Sequence, residues 1–133
     1  MKNTKIVTGI QTYTFTDEED HVFASFRLNP MDVNLAARAL EVGDYFEHIS
    51  EKAPADIKDL AALNKEIEDK ISYVLGYDAK DVFGEVTATT VFPSGEIFAV
   101  ILVDTIIDAV QPAMKERQAK MEKAADKYLR KYE

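Results

Sequence analysis

Apolar residues return every seven positions through the C-terminal third of this chain. Val100, Ile107, Met114, Met121 and Tyr128 form the seam, with Val103, Val110 and Ala124 between them. That spacing fits a helix laying one stripe against other helices; it does not fit a strand, whose side chains alternate with a period of two. Arg117 and Lys131 occupy the remaining seam positions, which argues against a strict coiled coil. Pro112 lies inside the stretch and removes a backbone donor. The spacing therefore predicts a helix over residues 95–132, broken near Pro112. Local propensity disagrees upstream. Residues 86–92 and 96–103 are rich in β-branched side chains around Pro93-Ser94-Gly95, which alone would read as a hairpin. Nothing breaks the chain between Val103 and the charged tail, and this favours the helix.

The remaining segments have simpler signatures. Residues 4–16 are rich in Thr, Ile, Val and aromatics and read as a strand. The acidic run Asp17-Glu18-Glu19-Asp20 ends it. Residues 21–28 then alternate, with Val22, Ala24, Phe26 and Leu28 on one side and Phe23, Ser25 and Arg27 on the other. Together they predict an antiparallel hairpin with a four-residue acidic turn. Asn29 as a cap, Pro30 at the first helical position and Asp32 in the first turn predict a helix over 30–49. Its stripe is Leu35, Ala39, Val42, Phe46 and Ile49, and Gly43 marks a kink or close packing. A second helix is expected over 56–75, striped by Ile57, Leu60, Ile67, Ile71 and Val74, with Asn64 as a polar intruder and Gly76 as its stop. The expected fold is α+β, mostly α: an N-terminal hairpin packed on a helical body, with a long C-terminal helix. Residues 1–112 form the hairpin and body, and 113–133 a basic helix expected to project.

Charge and composition narrow the function. The chain has 133 residues, enough for one domain that buries roughly 68% of its extended surface. It has no cysteine, so disulfides, thiol catalysis and thiolate metal sites are excluded. Its two histidines, His21 and His48, cannot by themselves make a multi-His metal site. Residues 115–133 hold seven bases and four acids, a net +3, whereas 1–114 hold nine bases and twenty acids, a net −11. An acidic body repels phosphate backbones, so no nucleic-acid partner is expected. The longest apolar run, 97–103, is seven residues, and a bilayer span needs about 20. No membrane association is expected either. The first residues lack the apolar segment of a signal peptide, so the expected location is the cytoplasm.

No catalytic set stands out. The acidic turn lacks the spacing and glycine of a Ca²⁺ loop. His48 has Glu41, Asp44, Glu47 and Glu51 near it in sequence, but the di-metal bundle pattern needs two Glu-x-x-His helices. Asp104 and Asp108, one turn apart, interrupt a very apolar helix; with no positioned partner they mark a solvent side. The expectation is no enzyme, no metal, no cofactor and no small-molecule substrate. Met114, Arg117, Met121, Tyr128 and Tyr132 line one side of the tail and are the candidates for partner binding or self-association.

One stretch resembles a known family. Asp81-Val82-Phe83-Gly84-Glu85, then Thr87, Val91-Phe92, a glycine and a long helix ending in a Lys-rich tail are similar to the tail assembly chaperones of siphophages and prophages of Gram-positive bacteria. There a "VFGEGT…IFG" segment precedes a final long helix. Phe26-Arg27-Leu28-Asn29-Pro30 also resembles their helix-opening "FRLNP". Val86 and Pro93-Ser94-Gly95 depart from the family pattern, which bears on the local turn. The resemblance implies a non-enzymatic assembly factor that binds the tape measure protein, keeps it soluble and helps recruit tail tube protein. It also implies self-association into oligomers, absence from the mature virion, and often a second, longer product made by ribosomal frameshifting. The alternative is another small phage tail or head–tail structural or completion protein.

Overall fold

The computed structural model describes residues 2–131. Its hairpin consists of Gln11–Thr16 (β1) and Val22–Leu28 (β2), paired antiparallel from Gln11 opposite Leu28 to Thr16 opposite Val22. The turn between them is built by Asp17, whose Oδ1 accepts from the amides of Glu19 and His21 at 2.9 Å each, and Asp20 takes a left-handed φ of 62°. These amides hold the Asp17 carboxyl below its ordinary range.

β1 begins at Gln11, not at residue 4. Its partner strand ends at Leu28, and Asn29-Pro30 then leads away, so residues 4–10 have nothing to pair with. Ile6 and Val7 are consequently 75% and 99% exposed despite their strand propensity. The expected alternation holds for Ala24, Phe26 and Leu28, all buried. It fails at Val22, which is exposed, and at Phe23, which packs inward. A register irregularity at Phe15/Thr16 places Phe23 as an extra residue, and such a bulge re-aims its side chain.

Helix α1 spans Val33–Glu47, three residues later than Pro30. Asn29 spends its side chain on a turn, accepting from the Met31 amide at 3.0 Å and donating to the Thr8 carbonyl at 3.0 Å. Asp32 therefore caps the helix instead, accepting from the Asn34 amide at 2.9 Å. The helix ends at His48, and a 3-10 turn, Ile49–Lys52, follows. Leu35, Ala39, Val42, Phe46 and Ile49 are all buried, as their spacing predicts. Gly43 faces the last helix, but a Cβ there would meet Ile107 Cδ1 at 4.0 Å, an ordinary contact, so the packing does not require glycine.

Helix α2, Ile57–Leu75, is capped by Asp56 and stopped by Gly76, whose φ of 80° suits a residue without a side chain. Ile67, Ile71 and Val74 are buried, but Ile57 and Leu60 are exposed because the first turns of α2 reach past the body. Arg38 Nε donates to the Val74 carbonyl at 3.1 Å and ties the end of α2 to α1.

Helix α3 runs unbroken over Phe98–Lys131, correcting both the expected start at Gly95 and the expected break near Pro112. At its start, Phe92-Pro93-Ser94-Gly95 folds as a tight turn: the Gly95 amide donates to Phe92 O at 2.8 Å, and Val91 bridges Ile97. The hairpin reading of 86–103 is thus right for one bridge only. The Phe98 and Ala99 amides then donate to the carbonyls of Thr90 and Ala88 at 2.9 and 3.0 Å. Those bonds satisfy donors that a buried helix start would leave orphaned. Proline at 112 cannot donate to the Asp108 carbonyl, but both residues face solvent, where water replaces the bond. Buried Val110 and Ala113 hold the helix on either side.

The core lies where hairpin, α1, α2 and α3 meet, and Phe98 is at its centre. The ring is fully buried, with Phe15, Phe23, Phe83 and Phe92 at centroid distances of 5.2, 5.7, 5.6 and 5.9 Å. The fold is α+β, mostly α.

Candidate functional site

Residues 81–92 are placed first of all by packing. Val82 is buried, and Phe83 and Phe92 are two of the four rings on Phe98. Phe83 also bridges Ala24, closing the outer edge of β2 together with Tyr77, whose hydroxyl accepts from the Arg27 amide at 2.9 Å. A Cβ on Gly84 would meet the Phe23 carbonyl at 3.4 Å, so the chain passes close to the strand there. Thr87 accepts no distant partner; its amide donates to Thr90 Oγ1 at 3.0 Å within the same loop. Asp81 is exposed at the end of a short 3-10 turn, Ala79–Asp81.

Glu85 has a partner that the sequence does not announce. Its Oε1 lies 2.7 Å from His21 Nε2, joining the hairpin turn to the loop before α3. That hydrogen bond, with the attraction of the carboxylate, raises the His21 pKa above its ordinary value. A raised histidine pKa contributes stability below the unfolded value of about 6.5, lost as pH rises through the folded value. His21→Ala is therefore expected to lower the urea midpoint at about pH 6 and to leave it nearly unchanged near pH 9, where the imidazole is neutral in both states. An equal loss at both pH values would show that the pair carries no charge.

His48 sits at the C-terminal end of α1. Its Nδ1 is 3.0 Å from the Asp44 carbonyl and 3.5 Å from Asp44 Oδ1. Asp44, Glu47 and His48 can bring one ligand atom each within 4.8 Å of one another, and all three are exposed on a single turn. Three donors from one turn leave most of an ion's coordination to water, so this arrangement is not assigned as a metal site.

The tail candidates divide by exposure. Ala113 is buried and Met114 half-buried against the core. From Lys115 to Lys131 only Arg117 is less than exposed, with Nη1 3.1 Å from Met121 Sδ. Met121, Tyr128 and Leu129 are 56%, 63% and 60% exposed. Leu129 falls one residue off the seven-residue seam and escaped the sequence reading. Tyr132 lies outside the described residues.

A groove runs along the same stripe of α3 before the tail. One cleft of about 640 Å³ lies between Gly43, Phe46 and Glu47 of α1 and Val100, Asp104 and Ile107 of α3. A second, about 730 Å³, lies between Leu40 of α1 and Asp108, Gln111 and Met114 of α3. Val100, Ile107 and Met114 are thus seam residues left half-buried in this groove. Glu47, Glu96, Asp104 and Asp108 line it, with Lys115 as the single base. Burial, then Asp108 and Glu96, raise the Asp104 pKa. A carboxylate that prefers its neutral form in the fold opposes folding when charged. Asp104→Asn is expected to stabilise the protein at pH 7 by a few tenths of a kcal/mol, discounted for solvent screening. The gain should vanish in thermal melts as pH falls below about 3.8, where the unfolded carboxyl is also protonated.

Among the described residues no helix is long and apolar enough to cross a membrane. This chain matches no family model, no curated protein and no solved structure.

Proposed function

We propose that the chain is a phage tail assembly chaperone: a non-enzymatic cytoplasmic factor that binds the tape measure protein, keeps it soluble and assists tail tube assembly. The observation that carries this reading is the stretch from Asp81 to Phe92 standing directly before a long helix with a basic, exposed end. The physical chemistry supports it. A tape measure protein is a long helical chain, and a client of that kind offers stripes of apolar side chains with no body to cover them. A half-apolar groove beside an amphipathic helix suits such stripes, with anchors at helical spacing.

Co-expression with the tape measure protein of a siphophage of Gram-positive hosts tests the proposal. The tape measure protein is expected to move from the insoluble to the soluble fraction and to co-purify with this chain. If it stays insoluble and this chain elutes alone, the chaperone reading fails. Recovery of the chain from mature particles would favour a structural or completion protein instead.

A further inference from the structure

We propose that the outer edge of β1 seats an extended segment of another protein, which adds to the hairpin as an antiparallel third strand and carries a basic residue at its N-terminal end. The edge is the first observation. The Tyr77 hydroxyl accepts from the Arg27 amide at 2.9 Å and donates to the Arg27 carbonyl at 3.3 Å, on the outer side of β2. Arg27 pairs with Thr12, so Thr12, and Thr14 two residues on, turn their own N–H and C=O to the outer side of β1. Among the described residues no donor or acceptor meets them there. Sheet edges are commonly blunted by a charge, a proline or a bulge. Gln11–Thr16 has no charge and no proline, and its one irregularity, at Phe15/Thr16, lies beyond Thr14. The N-terminal arm leaves the edge open: Gly9 turns it at a φ of 81°, and the Asn29 side chain holds the Thr8 carbonyl at 3.0 Å on the β2 side.

The second is the floor beside that edge. Helix α3 runs under β1 in the opposite direction: Ile101 shares a cleft with Thr16, and Ala109 and Pro112 share another with Gln11 and Tyr13. Ile101, Thr105 and Ala109 are half-buried. They fall on the flank of α3 opposite Val100, Ile107 and Met114, which line the groove against α1. The lengths agree. Gln11 to Thr16 covers about 17 Å of strand, and Ile101 to Pro112 about 17 Å of helix. A strand added at the edge hydrogen-bonds to β1 along one side and rests alternate side chains on this flank.

The third is charge, which orients the strand. The cleft at the Thr16 end, about 550 Å³, is lined by Asp17, Glu18, Glu85 and Glu96, with Phe92 and Pro93 as an apolar wall and no base. Glu85 is shared with His21. At the Gln11 end Glu116 and Lys120 offset each other. A Lys or Arg at the Thr16 end lays its stem on the apolar wall and its charge among the acids. In antiparallel pairing that end receives the N-terminal end of the added strand. Backbone bonds supply the affinity, and charge fixes the direction. The inference goes beyond the proposed function: the helical client is assigned to the other flank of α3, and neither result bears on the other.

Fluorescence anisotropy tests it, with the full chain titrated into an acetylated peptide, Arg-Val-Thr-Val-Thr-Ser, labelled at its C-terminal end. Saturable binding with a Kd below about 1 mM is expected. Two isomers methylated on alternate backbone nitrogens, the second and fourth or the third and fifth, separate strand addition from other contacts. One isomer should bind at least about tenfold more weakly and the other nearly as well as the parent, because only alternate amides face β1. Glutamate in place of the peptide's arginine should weaken binding about tenfold, and so should Glu18→Lys in the chain. Thr14→Pro removes an outward N–H, leaves the ladder to β2 intact and should abolish binding. Far-ultraviolet circular dichroism checks that both variants fold; the methylated peptides probe the wild-type chain and decide the matter if a variant misfolds. Absence of binding up to about 1 mM overturns the inference. So does an equal effect of the two methylated isomers, or undiminished binding of the glutamate peptide. If the peptide does not bind and Thr14→Pro instead dissolves a dimer in sedimentation velocity, the edge belongs to a second copy and the inference fails.

Discussion

Phe98→Ala is expected to lower the unfolding free energy by about 3–5 kcal/mol. Its ring is fully buried, and four other phenylalanines surround it within 6 Å between centroids. The loss combines the transfer free energy of the ring with a cavity that cannot collapse, because its walls come from four different segments: β1, β2, the loop after α2 and the turn before α3. Aromatic pairing adds to the burial term by about 0.5–1.5 kcal/mol for each good pair. Domains of this kind are stable by only about 5–15 kcal/mol, so the variant should sit near the edge of folding. Urea denaturation measures it: the midpoint should fall with little change in slope. Phe98→Leu should recover part of the loss by refilling some of the volume. If Phe98→Ala costs less than about 1 kcal/mol, the cluster is not the junction of hairpin and helix.

Asn64→Leu is expected to cost about 1 kcal/mol, the low end of the range for leaving buried donors without a partner, because Asn64 and Thr89 are only half-buried. Asn64 Oδ1 accepts from both the Thr89 amide at 3.1 Å and the Thr89 hydroxyl at 3.0 Å, while Nδ2 donates to Glu68 at 3.1 Å. Leucine keeps the branched shape, with somewhat more bulk, but makes none of these bonds. The effect should spread beyond the site. Thr89 lies between Ala88 and Thr90, whose carbonyls hold the first amides of α3. Hydrogen exchange at the Phe98 and Ala99 amides should therefore quicken relative to the middle of α3, through local opening of the loop. Unchanged exchange there would mean that the loop keeps its place without Asn64.

The second prediction concerns a residue whose importance the sequence marked without explaining, whereas nothing in the sequence singled out Phe98. Asn64 stood out as a polar residue on an apolar stripe, and the reason lies 25 residues away in Thr89. Glu85 belonged to the family-like stretch, but its bond to His21 crosses 64 positions. Periodicity reports which face of an element is apolar; it carries no information on which loop will come to rest against that face.

Local chemistry was sufficient for the hairpin turn, for the buried stripe of α1 and for the two ends of α2. Asp17, Asp56 and Gly76 act through bonds and dihedral angles within a few residues of themselves, so their meaning survives without the rest of the chain. Where β1 begins was decided by β2, which runs out of residues to pair. The continuity of α3 through Pro112 was decided by core contacts on either side of a lost bond, and its start at Phe98 by carbonyls that the preceding loop brings to it. The seven-residue seam of α3 was legible from the first, since a helical period depends on the sequence alone. That its first half would floor an acidic groove and its second half stand in solvent followed only from α1, which ends its cover near Met114 because the α1 chain begins there. An amphipathic stripe states that something must cover it; the length and placement of the neighbouring helix decide how much of it the protein covers by itself.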